Sequence, residues 1–142
     1  MKIAIGSDHA GFELKKQLIA YLNEKKIDIN DKGCYSIDRA DYPDFGHSVA
    51  KSVINKEVEF GILMCGSGNG INMTANKHAG IRAALCWNSE IAELARLHND
   101  ANILVLPARF ITVEEAKKCI DSFFKNAFEG GRHADRIAKI DC

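Results

Sequence analysis

The chain has 142 residues, 46% of them apolar, which is enough for one hydrophobic core and short for two. Nineteen lysines and arginines balance 19 aspartates and glutamates, so no overall positive field exists to hold nucleic acid or an anionic membrane, and an anionic ligand must be met by a local cluster. The start Met1-Lys2-Ile3-Ala4-Ile5-Gly6 is unlike a signal peptide, and no apolar run approaches the roughly 20 residues that span a bilayer.

Five cysteines at wide spacings, with no C-x-x-C pair, argue against a disulfide framework or a zinc site. The expectation is one domain over residues 1–142, cytoplasmic, with reduced thiols.

Lys2 to Gly6 reads as a buried strand, and Leu14, Leu18, Tyr21 and Leu22 mark one face of the helix that follows. The alternation recurs with a run from Ile27 to Gly33, a helix after Pro43 carrying Val49, Ala50, Val53 and Ile54, and the apolar run Phe60 to Met64. Beyond a glycine loop the pattern predicts a short helix near Asn72 to Lys77 and a strand at Ile81 to Cys86. A helix from Ser89 to Leu97 and a strand at Asn102 to Leu106 come next.

Thr112-Val113-Glu114-Glu115 has the capping-box pattern and opens a helix carrying Ala116, Cys119, Ile120, Phe123 and Phe124. Gly130-Gly131 breaks that helix, and Arg132-His133-Ala134-Asp135-Arg136 starts a charged helix in a C-terminal arm, residues 129–142. Five short apolar strands between amphipathic helices predict an α/β fold. It is a single doubly wound five-stranded parallel sheet, Rossmann- or flavodoxin-like, with helices on both faces and ligands outside the carboxyl ends of the strands.

Met64-Cys65-Gly66-Ser67-Gly68-Asn69-Gly70 is the most informative stretch, a thiol at the end of a buried strand followed by three alternating glycines. Glycines let backbone N–H groups turn toward an anion, and the positive end of the next helix favours thiolate over thiol. Cys65 thereby qualifies as a base near neutral pH; the plainer reading is a buried structural cysteine beside a tight turn. Neither nucleotide motif is met. Ile71 stands where G-x-G-x-x-G needs its third glycine, and Gly6-Ser7-Asp8-His9-Ala10-Gly11 is followed by Phe12-Glu13 instead of Lys-Ser/Thr.

Asp8 and His9 follow the first strand, at the sheet edge expected for Cys65. They suit sugar hydroxyls and a phosphate or ring oxygen, or else they form a helix N-cap and first turn. His98-Asn99 closes a helix, where a histidine commonly meets the helix C-terminus. Arg132 and Arg136 are four apart and share a helical face, directed at one phosphate or at solvent. His47 and His78 have no partner at metal-ligand spacing and receive no role.

Together, Gly6-Ser7-Asp8-His9-Ala10-Gly11, Asp41-Tyr42-Pro43, Cys65-Gly66-Ser67-Gly68-Asn69-Gly70, Ala75-Asn76-Lys77, Gly80-Ile81-Arg82-Ala83, His98-Asn99-Asp100 and Glu129-Gly130-Gly131-Arg132-His133 closely resemble the B-type ribose-5-phosphate isomerase family. The resemblance runs from the first strand to the C-terminal arm. That family also contains allose- and galactose-6-phosphate isomerases and works without a metal.

The resemblance implies that Cys65 takes a proton from C2 of an aldose phosphate and returns it to C1 through a cis-enediolate. Gly66, Ser67, Gly68, Asn69 and Gly70 then match the anion hole that receives the enediolate oxygen. His98 matches the acid that helps open the furanose ring, and Ser67 stands where an assisting hydroxyl, commonly threonine, is found. Asp8, His9, Tyr42 and Asn99 match substrate contacts, and Arg109, Arg132 and Arg136 match phosphate ligands. Some relatives use a glutamate just beyond the nest, where this chain has Ile71. Members are homodimers or tetramers with sites at subunit boundaries, so the arm is expected to reach a neighbour.

The leading expectation is therefore interconversion of D-ribose 5-phosphate and D-ribulose 5-phosphate in the pentose phosphate pathway, with no cofactor, metal, nucleic acid or membrane partner. The runner-up is the same chemistry on a 6-phosphohexose, as an allose 6-phosphate enzyme or a galactose 6-phosphate subunit. A non-catalytic flavodoxin-like nucleotide-binding module is the alternative of another class.

Overall fold

A computed structural model describes residues 1–141; Cys142 lies outside the described residues. Strands β1 (Lys2–Ser7), β3 (Phe60–Cys65) and β5 (Ile103–Pro107) are the apolar runs of the sequence, and almost every residue in them is buried. Continuous apolar strands of this kind need cover on both faces, and they occupy the middle of the sheet. The edges are β2 (Asp28–Asp31) and β4 (Ala83–Leu85), which are only half-buried.

All pairings are parallel and the strand order is β2-β1-β3-β5-β4. This is the flavodoxin-like order with its last two strands exchanged: the chain goes out to β4 at the edge and returns to insert β5 beside β3.

The alternation of side chains along each strand sorts the core into two layers. Ile3, Ile5, Ile62, Met64, Leu104 and Leu106 pack with Leu14, Leu18 and Leu22 of α1 (Phe12–Glu24), Ala92 and Ala95 of α4 (Ser89–Asn99), and Ala116, Ile120 and Phe123 of α5 (Val113–Lys125). Ala4, Leu63, Cys65, Ile103 and Val105 face the other way, toward α2 (Tyr42–Ile54) and α3 (Asn69–Ala75). A short helix in the arm, α6 (Arg132–Ile137), packs on α4.

Local chemistry starts the helices where the sequence indicates. Pro43 lies in the first turn of α2, where its missing N–H is no loss. Asn88 caps α4 by accepting from the Ile91 N–H at 3.0 Å, and Thr112 caps α5 by accepting from the Glu115 N–H at 3.1 Å.

Only half of the capping box forms, because the Glu115 carboxylate accepts instead from the Ser89 N–H at 2.8 Å and ties α5 to the start of α4. Three predicted boundaries also move. The third helix begins at Asn69, earlier than Asn72, because Gly68 at φ +80° turns the chain inside the glycine run. The edge strands are shorter than the predicted Ile27–Gly33 and Ile81–Cys86, since each has a neighbour on one side only.

Candidate active site

The carboxyl ends of β1 and β3 lie side by side, Ser7 pairing with Met64, at the point where the sheet order reverses. Cys65 ends β3 with 5% of its surface exposed, its side chain on the α2 and α3 side. Gly68 holds the turn that follows: its φ is +80°, and a Cβ there would lie 2.4 Å from Leu85 Cδ1.

Among the described residues the N–H groups of Ser67, Gly68 and Gly70 find no partner, and the Asn69 N–H donates to Ser67 Oγ at 3.2 Å. Unpaired N–H groups converging on a turn form a concavity suited to an anion.

Two side chains wall this loop. Arg109, just beyond β5, donates its N–H to the Gly66 carbonyl at 2.9 Å, and its guanidinium lies over Gly66, where a Cβ would come within 3.3 Å of Nη1. Tyr42 opens α2 and lies against Gly70, where a Cβ would sit 2.5 Å from the ring carbons. The glycines at 66 and 70 thus leave room for an arginine and an aromatic ring as well as for bending.

Asp8 is 93% buried beside them (7% exposed) and caps the short turn His9–Gly11, Oδ1 accepting from the Ala10 N–H at 3.0 Å and the Gly11 N–H at 3.2 Å. The N-cap reading of Asp8 is therefore realised, with Oδ2 left over for a ligand. His9 Nδ1 lies 3.2 Å from both the N–H and the carbonyl of Ala40, so the ring is fixed in either tautomer and Nε2 is free.

His98 and Asn99 are elsewhere. They form the last turn of α4, immediately before β5 enters the sheet, where the Asn102 carbonyl accepts from the Gly61 N–H at 3.0 Å. Gly61 and Cys65 stand four residues apart on β3, about 13 Å at the usual strand rise. Cys65 and His98 of one chain consequently lie at opposite ends of the strands.

Hydrogen bonds cross-link the His98 corner. Arg82 Nε donates to the carbonyls of Asn99 at 3.1 Å and Asp100 at 3.0 Å, while Arg96 Nη1 donates to Asp100 Oδ1 at 2.9 Å and the Ala101 carbonyl at 2.6 Å.

The C-terminal arm joins that corner. The His133 ring stacks on His98 with centroids 4.3 Å apart and planes 14° from parallel, and Glu129 Oε2 lies 3.5 Å from His133 Nε2. A cavity of about 260 Å³ opens here, lined by His98, Asn99, His133, Arg136, Ile137 and Ile140. Arg132 lies on the exposed surface of α6 beside it. The candidate residues so divide into a thiol-and-nest group with Asp8, His9, Tyr42 and Arg109, and a histidine-and-arginine group with Asn99.

Residues 3–140 match the protein family described as Ribose/Galactose Isomerase. The chain belongs to that family. It is 45% identical to ribose-5-phosphate isomerase B of Escherichia coli over 98% of this chain and 93% of the relative. Its fold superposes on a ribose 5-phosphate isomerase from Thermotoga maritima with a TM-score of 0.97 and 52% identity, covering 99% of this chain and 97% of the other. A ribose-5-phosphate isomerase B from Mycoplasma genitalium with bound ribulose-5-phosphate aligns at a TM-score of 0.93 and 46% identity, over 98% of this chain and 93% of that one.

Within this isomerase-family fold, three features escaped the sequence. His47 Nδ1 and His78 Nε2 meet at 2.7 Å, because α2 packs on α3 and brings together residues far apart in the chain. At the arm, the ligand atoms of His98, Glu129 and His133 all lie within 4.8 Å of one another. Glu129 and His133 were visible as a pair four apart, but Gly130-Gly131 between them hid their convergence.

Finally, Cys86 and Cys119 are core residues whose thiols burial pushes up to about 12, Cys119 and Glu115 respectively adding smaller like-charge effects. Among the described residues no helix is long and apolar enough to cross a membrane.

Proposed function

We propose that this chain interconverts D-ribose 5-phosphate and D-ribulose 5-phosphate, with Cys65 as the base. The observation that carries the proposal is the meeting of a thiol with unpaired backbone N–H groups at the reversal point of the sheet, at Cys65, Ser67, Gly68 and Gly70. The relative that holds ribulose-5-phosphate supports the pentose assignment.

In this reading the Cys65 thiolate takes the C2 proton of the open-chain aldose. The C–H electron pair forms the C1=C2 bond and the carbonyl pair moves to O1, whose charge the N–H groups of the nest receive. Proton transfer from O2 to O1 and return of the Cys65 proton to C1 leave the carbonyl at C2 and restore the thiolate. Ser67 assists the oxygens, and Gly66 and Asn69 shape the loop. Asp8 and Tyr42 contact hydroxyls, and His9 and Arg109 meet the phosphate side from the same chain.

His98 and Asn99 stand at the opposite end of the strands from Cys65 in their own chain, with Arg132 and Arg136 on the neighbouring arm. The proposed active unit is therefore at least a dimer in which a second copy brings His98 to open the furanose ring, Asn99 to the sugar, and Arg132 and Arg136 to the phosphate. The whole chain acts as one domain, 129–142 being the arm that reaches across, and the cytoplasm is the proposed compartment. The nucleotide-module alternative has lost its support with membership of the isomerase family.

A 6-phosphohexose substrate is the second reading, favoured by the breadth of a family that includes galactose isomerases. Comparative kinetics decide: kcat/KM for ribose 5-phosphate is expected to exceed that for allose 6-phosphate and galactose 6-phosphate. A preference for either hexose phosphate would reverse the assignment.

A further inference from the structure

We propose that His98, Glu129 and His133 form a binding site for a zinc-class divalent cation, and that an ion held there stops the isomerase by engaging His98. Two imidazoles and one carboxylate are the donor set of zinc sites that keep positions open for water, and imidazole selects zinc, copper or nickel over magnesium or calcium. The three ligand atoms already lie within 4.8 Å of one another.

A tetrahedral zinc with bonds of about 2.0–2.2 Å places its ligands about 3.4 Å apart. His133 and Glu129 already stand at 3.5 Å, whereas the His98 ring lies stacked on His133 with planes 14° from parallel, so His98 must turn out of the stack to aim its lone pair at the same ion.

The backbone prepares this closure. The Glu129 N–H donates to the Leu97 carbonyl at 3.1 Å, pinning the carboxylate beside the turn that carries His98, and the His133 N–H donates to the Gly130 carbonyl at 3.2 Å. His133 is 9% exposed and keeps its place while His98 adjusts. The adjoining 260 Å³ cavity has room for the waters that complete the coordination. Arg136 lines the same cavity and opposes a dication, so the ion is held reversibly and yields to a chelator.

The inhibitory half rests on the proposed ring-opening role of His98: a lone pair committed to a metal cannot serve a sugar oxygen. The surface pair His47 and His78 offers two ligands only and serves as the comparison site.

The test is competition for Zn²⁺ against a chromophoric chelator, using the assembled full-length protein and its variants, together with isomerase activity at the same zinc concentrations. One zinc per chain is expected. Glu129→Gln and His133→Asn should weaken it at least about tenfold, and His47→Asn and Cys65→Ala should leave it unchanged. Turnover should fall in proportion to occupancy, with Mg²⁺ inert.

Unaltered affinity in both arm variants, or loss of binding in Cys65→Ala, would overturn the site. Zinc that fills the site without slowing turnover would overturn the inhibitory half, whereas near-normal turnover of zinc-free His98→Asn would instead overturn the ring-opening role of His98. A variant that fails to assemble is bypassed by the cobalt(II) spectrum of the unmodified protein. Nitrogen and oxygen ligation without a thiolate charge-transfer band is expected, and such a band would contradict the assignment.

Discussion

Cys34, Cys65, Cys86 and Cys119 are all buried free thiols, so burial alone does not single out a reactive one. Cys86 and Cys119 sit in the apolar layer with α4 and α5, where desolvation holds their thiols near 12 and leaves almost no thiolate at neutral pH. Cys65 differs in position, ending β3 where the glycine loop begins. Alkylation of the folded protein near pH 7.5, read by peptide mass, should modify Cys65 while Cys86 and Cys119 stay intact; equal labelling would contradict this contrast.

In its proposed role as base, Cys65 is needed only while the proton moves. Cys65→Ala should lower kcat by about 10²–10⁴-fold with little change in KM. Exchange of the C2 proton into deuterated water should fall in step, and near-normal exchange in Cys65→Ala would place the base elsewhere. Arg132→Ala or Arg136→Ala should instead weaken sugar phosphates far more than the dephosphorylated sugar, because only the phosphate offers a dianion to grip. Equal losses for both would make the arm merely structural.

At the scale of elements, α2 and α3 matter together, since one carries Tyr42 and the other continues the nest. Their packing is tied at the far end by the His47 and His78 rings. Burial holds the His78 pKa below its ordinary value of 6.5, and the charges of His47 and Lys51 lower it further.

The folded state therefore binds this proton less readily than the unfolded chain. The contribution of neutral His78 is complete above about pH 6.5 and is lost as the pH falls below it. His78→Asn should flatten the fall in Tm between about pH 7 and pH 5; an unchanged slope would remove this tie from the account.

None of this was legible in the sequence, because the two histidines are brought together by helix packing and not by spacing. The strands and helices were legible, since each apolar run or face repeats at its own period. The half-formed capping box shows the limit: Thr112 caps as its pattern says, but Glu115 is drawn to Ser89 by a neighbour that the local sequence does not name.

For the whole molecule, the sequence grouped Cys65, His98 and the arginines into one reaction by resemblance, and it assigned none of them to a subunit. The fold places His98, Arg132 and Arg136 about a strand's length from Cys65, which is the ground for proposing that a second copy completes the site. Mixing inactive Cys65→Ala with inactive His98→Asn, under conditions that exchange subunits, measures this directly. In each mixed dimer one site carries both defects and the other carries none, so random exchange should restore about a quarter of wild-type activity. Mixed dimers that form, as shown by mass, yet stay inactive would contradict a site completed by a second copy.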